Sequence, residues 1–322
     1  MHRAALIMSL VLGLSGCVSQ SLFPTSGPLE ETQLSGKGEA KVLIVDISGL
    51  LLSSRPTGVI DRLLNRPSLP TRFKEELTKA ADDPDVKAVV LRINSPGGTV
   101  TASDILHHEV RVFKKKRPMP IIASIMDLGT SGGYYVAVAG DRIVAHPSSI
   151  TGSIGVIMVS LNAAGLLEKV GIEAIAVTSG PNKDMGSPFR AMTEEERAIF
   201  QSVIDSLYDR FLQAVQEGRP RLSKEEVKRL ADGRIYSAAQ AKQLGLVDEI
   251  GYLDDAIELA KREAGLADAR VVMYHRPSGY HPNIYSQWPR GETGWPVLNL
   301  DPVSLTALLG GGSPAFMYLW LP

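Results

Sequence analysis

A serine surrounded by small residues is the first candidate for chemistry in this sequence. Ser131 lies in the run Gly129-Thr130-Ser131-Gly132-Gly133-Tyr134-Tyr135, between an apolar stretch and a small-residue helical pattern. A hydroxyl at a helix N-terminus meets backbone donors that favour a developing negative charge, which suits a nucleophile. As a helix N-cap alone, the same serine would be unremarkable.

Residues 129–133 also match Gly-x-Ser-x-Gly, the pattern of the nucleophile elbow in α/β-hydrolases. That fold needs an acid and then a histidine later in the chain. His146 follows Ser131 too closely for this order, whereas His275 and His281 lie in or beside a stretch without periodicity. The sequence therefore gives little support to a histidine base.

A loop lysine offers a different base. The run Ser179–Pro188 contains Lys183 and is a loop by its glycine, proline and serine content. Most such lysines are simply solvated. However, desolvation lowers the pKa of a lysine toward neutrality, and Ser/Lys dyads are a known form of serine-nucleophile chemistry. Lys183 is therefore a candidate general base.

A further loop with two adjacent glycines, Asn94-Ser95-Pro96-Gly97-Gly98-Thr99, joins a buried-strand pattern to a helical one. Adjacent glycines let the backbone take unusual torsions and bring N–H groups close to a ligand. An ordinary strand-to-helix turn would have a similar composition.

The elements that must position these residues alternate between strand and helix. Apolar runs predict strands at 41–47, 86–93, 120–126 and 142–145, and helical patterns are found at 71–81, 99–116 and 132–139. This alternation predicts an α/β fold with a parallel sheet flanked by helices. After residue 151 the chain becomes more helical, with a long helix from Thr193 to about Gln216 and a capping box at Ser223 and Glu226.

Several linked motifs together resemble the signal peptide peptidase A family over residues 40–265. They are Asn94–Gly98, Ser131–Tyr135, Thr151–Val156, Ser179–Asp184, Ala231–Tyr236 and Ala241–Asp248. The resemblance implies a Clp-protease/crotonase-like fold and a serine endopeptidase that needs no metal or other cofactor. A modest departure is Gly129-Thr130, where family members commonly have a small pair such as Ala-Ala before the serine.

The resemblance also implies a role for each site residue. Ser131 would be the nucleophile and Lys183 the general base, and Ser153 would orient the lysine amine. The backbone N–H groups of Gly98 and Gly132 would form the oxyanion hole. The expected substrates are peptides such as remnant signal peptides or misfolded exported proteins, and the expected assembly is a homo-oligomeric ring in which the lysine of one protomer completes the serine site of its neighbour.

The first residues are typical of a bacterial lipoprotein signal. A short cationic start and an apolar run from Ala4 to Leu14 precede Leu14-Ser15-Gly16-Cys17, which resembles a lipobox. The sequence predicts that Cys17 is lipidated and attaches the protein to a bilayer, on the non-cytoplasmic side of a bacterial envelope. Val18, in place of an aspartate associated with inner-membrane retention, favours the outer membrane.

Composition excludes several classes of protein. A single cysteine cannot form a disulfide framework or a multi-cysteine zinc site, and a net charge of -1 argues against nucleic-acid binding. The predicted organisation is a signal peptide (1–16), a flexible tether (17–39), the peptidase domain (40–265) and an irregular C-terminal tail (266–322). The alternative functions are an acyl-CoA enzyme of the crotonase type and a catalytically silent membrane scaffold.

Overall fold

The computed structural model describes residues 28–53, 67–276 and 315–320, so Cys17 and His281 lie outside the described residues. The strands are β1 Glu30–Ser35, β2 Lys41–Ser48, β3 Val86–Ser95, β4 Gly97–Thr99, β5 Ile121–Thr130, β6 Arg142–Ala145, β7 Ile150–Gly152, β8 Ile157–Val159, β9 Ile235–Ser237, β10 Glu249–Ile250, β11 Arg270–His275 and β12 Ala315–Leu319. The helices are α1 Leu69–Asp82, α2 Val100–Lys116, α3 Gly132–Ala137, α4 Ala164–Lys169, α5 Glu194–Gly218, α6 Lys224–Leu230, α7 Ala238–Gln243 and α8 Leu253–Glu263.

A mostly parallel sheet forms the centre of the molecule. Its strands run in the order β1-β11-β2-β3-β5-β6-β10, and only β1 pairs antiparallel along this path. At the C-terminal end of β5, residues 128–130 pair in parallel with the short strand β7, and β9 pairs antiparallel with β7. The predicted α/β fold with a parallel sheet is confirmed.

Helices cover both faces of this sheet. Alternate residues of β2 point to opposite sides, as the pleat requires. Leu43, Val45 and Ile47 pack in one buried cluster with residues of α1, α2 and α3. Val42 and Ile44 pack in the other with residues of α8. Burial on both faces explains why the central strands appear in the sequence as nearly continuous apolar runs.

The predicted helix starts agree with the structure. Thr193 and Glu196 form a capping box at the start of α5, which runs to Gly218, and Ser223 with Glu226 does the same for α6. After residue 151, where the sequence predicts a more helical part, the structure has α4 to α8, with the short strands β8, β9 and β10 in the same part of the chain. Within the described ranges, no helix is both long and apolar enough to cross a bilayer.

The predicted tether, 17–39, is too long at its C-terminal end. Residues Glu30–Ser35 form β1, which pairs antiparallel with β11 at the edge of the sheet. The strand has the sequence EETQLS and remains largely exposed. Its position depends on the hydrogen-bond ladder to a strand that lies more than 200 residues later, and a mostly polar edge strand leaves little apolar pattern to detect.

The prediction of an irregular tail from residue 266 is wrong in two places. Arg270–His275 is strand β11 and lies between β1 and β2 in the main sheet. Ala315–Leu319 is strand β12, which lies between β4 and β8 in a small antiparallel sheet. Both segments are short, and they form strands because they pair with distant partners. Local composition does not reveal such pairing.

Candidate active site

Ser131 directly follows β5 and has a rare backbone conformation. Its φ is 51° and its ψ is -115°, a combination that a residue with a side chain adopts only at a cost. The residue is 1% exposed. Its Oγ is buried and has no hydrogen-bond partner among the described residues. A buried hydroxyl held in a strained turn without a partner is free to react with a group brought to it.

Backbone hydrogen bonds hold this turn in place. The parallel register of β5 and β7 pairs Thr130 with Gly152, and the N–H of Ser131 donates to the carbonyl oxygen of Gly152 at 2.7 Å. The carbonyl oxygen of Ser131 in turn accepts from the N–H of Tyr135 at 2.9 Å, which begins the first turn of α3. The serine is therefore fixed between a strand pair and a helix N-terminus.

Ser153 lies beside Ser131 because each residue follows one of the paired strand ends. It also has a φ of 51° and is 7% exposed. Its N–H donates to the carbonyl oxygen of Arg234 at 2.7 Å. Gly152 has a φ of +85°, and a Cβ there would lie 2.5 Å from Cδ2 of Tyr236. The Ala231–Tyr236 motif thus positions Ser153, a role that the sequence did not indicate.

The glycine loop approaches the same turn from β3. Ser95 Oγ donates to the carbonyl oxygen of Gly49 at 2.6 Å and accepts from the N–H of Gly97 at 3.1 Å. Gly97 has a φ of +103°. A Cβ on Gly98 would lie 2.0 Å from the carbonyl oxygen of Leu51. Glycine is required at both positions, by the torsion at Gly97 and by the close backbone at Gly98.

Gly132 brings the helix N-terminus against this loop. A Cβ on Gly132 would lie 2.3 Å from Ser103 Oγ and 3.1 Å from the Cα of Gly97. A Cβ on Gly97 would in turn lie 2.8 Å from the backbone nitrogen of Gly132. The loop that contains Gly98 and the first residue of α3 therefore meet directly beside Ser131.

The two tyrosines after this turn point to different parts of the molecule. Tyr134 is fully buried, and its hydroxyl donates to the carbonyl oxygen of Leu246 at 2.7 Å, which holds the Ala241–Asp248 segment. Tyr135 donates to Asp104 Oδ1 at 2.9 Å. Its ring centroid lies 5.0 Å from that of His107, and burial lowers the pKa of this histidine to about 4.

Lys183 does not lie with the other predicted site residues. Its side chain is exposed in a turn, and among the described residues its amine has no hydrogen bond or ion pair. The neighbouring residue anchors the turn, because Asp184 binds Arg190 through both carboxylate oxygens at 2.7 Å. Arg190 also contacts Glu196 at the start of α5, and it holds the pKa values of both carboxyls below their usual range.

The histidines considered as alternative bases lie elsewhere. His146 is half-buried, and its Nδ1 lies 2.8 Å from Ser148 Oγ. His275 ends β11, and its Nε2 lies 2.6 Å from Thr32 Oγ1 on β1. Because β2 and β3 separate β11 from β5 in the sheet, His275 is far from Ser131.

Comparison with known proteins identifies a peptidase family to which the chain is similar. The sequence profile described as peptidase family S49 matches residues 113–267. The chain is 39% identical over 245 residues to a putative signal peptide peptidase SppA of Enterococcus faecium, covering 76% of this chain and 70% of that protein. It is 36% identical over 233 residues to a putative protease of Synechocystis sp., covering 72% of this chain and 78% of that protein.

Among solved structures, a ClpP1 mutant of Listeria monocytogenes aligns with a TM-score of 0.42 at 17% identity, over 66% of this chain and 94% of that chain. The family match and the high identity to proteins that this chain largely covers agree with the motifs around Ser131. The chain belongs to peptidase family S49, the serine-type peptidases related to signal peptide peptidase A.

Proposed function

We propose that this chain is a membrane-anchored serine endopeptidase that cleaves peptides such as remnant signal peptides with Ser131 as nucleophile and Lys183 as general base. The observation that carries the proposal is the state of Ser131. Its hydroxyl is buried, lacks a partner among the described residues and lies in a strained turn beside Ser153 and the glycine loop. A purely structural serine would be expected to satisfy its hydroxyl when buried.

The proposed reaction is an acyl transfer. The neutral amine of Lys183 removes the proton from Ser131 Oγ as the oxygen attacks the peptide carbonyl carbon, and the backbone N–H groups of Gly98 and Gly132 stabilise the oxyanion. The protonated lysine then donates its proton to the leaving amine as the C–N bond breaks, which leaves an ester on Ser131. A water molecule, deprotonated by the neutral lysine, hydrolyses this ester, and the proton returns to Ser131 Oγ. Ser153, next to Ser131, orients the lysine amine.

In this proposal the lysine reaches the serine of a neighbouring protomer. Within one chain, Lys183 is exposed and apart from Ser131. The surrounding region, residues 161–189, also carries exposed apolar side chains, namely Leu161, Leu166, Val170, Ile172, Ile175, Val177 and Phe189. Clustered exposed apolar residues are typical of a surface that contacts another protein. This arrangement supports a homo-oligomeric ring in which each site takes residues from two chains.

The test uses three purified variants. Ser131→Ala and Lys183→Ala should each abolish hydrolysis of a fluorogenic peptide while they leave the folded structure intact by circular dichroism. Lys169→Ala is the matched control, because Lys169 is an exposed lysine of the same region at the end of α4. It should retain activity. Full activity in either Ser131→Ala or Lys183→Ala would refute the dyad.

A mixing experiment tests the shared site. If each site combines Ser131 of one protomer with Lys183 of the next, the two inactive variants should regain activity when they are unfolded together and refolded as mixed oligomers. Sites built within one chain would stay inactive in the mixture, because every chain lacks one of the two residues.

The membrane anchor is the lipid on Cys17, which lies outside the described residues. The proposed location is the non-cytoplasmic side of a bacterial envelope, with the outer membrane favoured. Cell fractionation with intact-mass analysis should find the protein in a membrane fraction with an acylated Cys17 at its N-terminus. A mature N-terminus at another residue, without acyl chains, would contradict this part of the proposal.

A further inference from the structure

We propose that Arg190 is a positioning residue for the general base. It holds the turn that carries Lys183 against the start of α5, and so it fixes where the lysine amine reaches the serine. This role rests on the proposed function, because it takes Lys183 as the base. Arg190 lies seven residues after Lys183, outside the motif that contains the lysine.

The turn that carries Lys183 has only weak bonds of its own. It forms neither helix nor strand. The N–H of Lys183 donates to the carbonyl oxygen of Gly180 at 3.2 Å, and that of Met185 donates to the carbonyl oxygen of Asn182 at 3.3 Å. The side-chain amide of Asn182 reaches Glu195 only at 3.5 Å. Because hydrogen bonds of this length are weak, the place of the turn depends on a stronger link.

Arg190 provides that link through one guanidinium group. Its Nε and one Nη donate to the two carboxylate oxygens of Asp184, each at 2.7 Å. Its other Nη donates to Glu196 Oε2 at 3.0 Å, and both Nη groups contact this carboxylate. Asp184 directly follows Lys183 in the chain, whereas Glu196 lies in the first turn of α5. The planar fork of arginine can bind two carboxylates at once, which the single ammonium of a lysine cannot match.

Glu196 is itself held in one position. Its side chain is 1% exposed. Its Oε2 accepts from the N–H of Thr193 at 2.9 Å, and its own N–H donates to Thr193 Oγ1 at 3.1 Å, which closes the capping box. A buried carboxylate needs a charged partner, and Arg190 supplies it. The carboxylate clamp, formed by Asp184, Arg190 and Glu196, therefore joins the lysine turn to a fixed point.

Helix α5 connects this carboxylate clamp to the serine side of the molecule. Further along the helix, Arg210 donates to Asp104 Oδ1 at 2.6 Å, and the same oxygen accepts from the hydroxyl of Tyr135 at 2.9 Å. The ring centroid of Phe211 lies 5.0 Å from that of Tyr135, on the helix that begins after Ser131. A single helix thus relates the carboxylate clamp to the part of the molecule that holds the nucleophile.

Ring symmetry makes this geometry matter at the neighbouring site. In a ring of identical protomers, the place of Lys183 relative to its own protomer decides where its amine meets the serine of the next protomer. The two groups must come within hydrogen-bond reach, and a misplacement of about 1 Å can cost roughly a hundred-fold in rate. Breaking the carboxylate clamp should therefore lower kcat, whereas KM should change little because the contacts that bind the peptide remain.

The kinetic test compares purified full-length variants on one fluorogenic peptide. Arg190→Ala should lower kcat roughly a hundred-fold, and Arg190→Lys, which keeps the charge but loses the fork, roughly ten-fold, with KM changed less than about two-fold. Guanidinium chloride, below the concentrations that unfold the protein, should restore part of the activity of Arg190→Ala and none of that of Lys183→Ala. Arg197→Ala is the matched control, because Arg197 is an exposed arginine at the same end of α5, with its ion pair to Glu194 at 3.9 Å. Its kcat should not change.

A double variant separates positioning from a purely structural role, in which Arg190 only neutralises the buried Glu196. Glutamine at this position still closes the capping box and needs no counter-charge. The combination of Arg190→Ala with Glu196→Gln should therefore recover the thermal stability lost in Arg190→Ala, while its kcat stays as low. Return of kcat to the value of the unmodified protein would overturn the positioning role.

Mixed oligomers test whether Arg190 acts on the lysine half of the site. Arg190→Ala refolded together with Ser131→Ala should regain activity, because the intact carboxylate clamp of one chain serves the intact serine of the other. Arg190→Ala refolded together with Lys183→Ala should not, because neither chain presents a positioned lysine. Recovery with Lys183→Ala as the partner would contradict the assignment.

The outcomes distinguish the positioning role from the proposed function. Unchanged kcat in Arg190→Ala, beside an inactive Lys183→Ala, would remove the role of Arg190 and leave the dyad in place. Full activity in Lys183→Ala would instead refute the base, and the role of Arg190 with it.

Discussion

Replacing Ser131 should stabilise the protein, although it should abolish activity. Two features of this residue cost free energy of folding. Its buried Oγ has no partner among the described residues, and such a group costs about 1–3 kcal/mol. Its φ of 51° with a ψ of -115° costs a residue with a side chain about 1–3 kcal/mol more. Both costs are consistent with an active-site residue held for chemistry.

Two substitutions separate these costs. Ser131→Ala removes only the hydroxyl and should raise the free energy of unfolding by about 1 kcal/mol. Ser131→Gly also relieves the backbone, although a flexible glycine in the unfolded chain offsets about 0.5–1 kcal/mol of this gain. We therefore expect Ser131→Gly to be the most stable form, by about 2 kcal/mol over the unmodified protein in urea unfolding monitored by circular dichroism.

Ser95→Ala is the matched control, since Ser95 is also a buried serine near the site but its hydroxyl is hydrogen-bonded to the backbone of Gly49 and Gly97. Loss of the Ser95 hydroxyl leaves the carbonyl oxygen of Gly49 and the N–H of Gly97 without their partner, so the free energy of unfolding should fall by about 1–3 kcal/mol. If both Ser131 variants lose as much stability as Ser95→Ala, then the strained, unsatisfied state assigned to Ser131 is wrong.

Two other predictions concern buried groups away from the site. Burial raises the pKa of Glu76 to about 7, so the folded protein holds this proton more tightly than the unfolded chain does, and stability should fall as the pH rises from about 4.5 to 7. Between these two pH values, the free energy of unfolding measured in urea should fall by roughly 3 kcal/mol more for the unmodified protein than for Glu76→Gln. Parallel pH profiles of the two proteins would contradict the assignment. Tyr134→Phe leaves the carbonyl oxygen of Leu246 unpaired in the core and should cost about 1–3 kcal/mol, whereas Tyr252→Phe, with an exposed ring, should change stability little in the same assay.

Local patterns in the sequence were sufficient for most of the central elements. The apolar run that begins at Lys41 predicts a buried strand, and β2 spans Lys41–Ser48. The capping residues Thr193 and Ser223 mark the starts of two helices that the structure confirms. Strands buried on both faces and capped helices can be predicted from short stretches of sequence. The residues that form the recognisable pattern are the same residues that are buried or that cap the helix.

Strands that pair only with distant partners were harder to predict. Strand β1 is polar and exposed, and β12 is a short apolar run among glycines and prolines. Each becomes a strand only because a distant backbone offers hydrogen bonds, β11 in the first case and β4 with β8 in the second. Local composition says little about such pairing, since it depends on partners more than 100 residues away.

The sequence by itself determined the family and named the residues that could react, because Ser131, Ser153, Gly98 and Gly132 lie in compact motifs. Only the tertiary structure decided how these motifs meet. Parallel pairing of β5 with β7 brings Ser131 beside Ser153, whereas Lys183 lies apart in an exposed turn. Motif composition is a local property, but the distance between motifs is set by strand pairing and by packing across the whole chain.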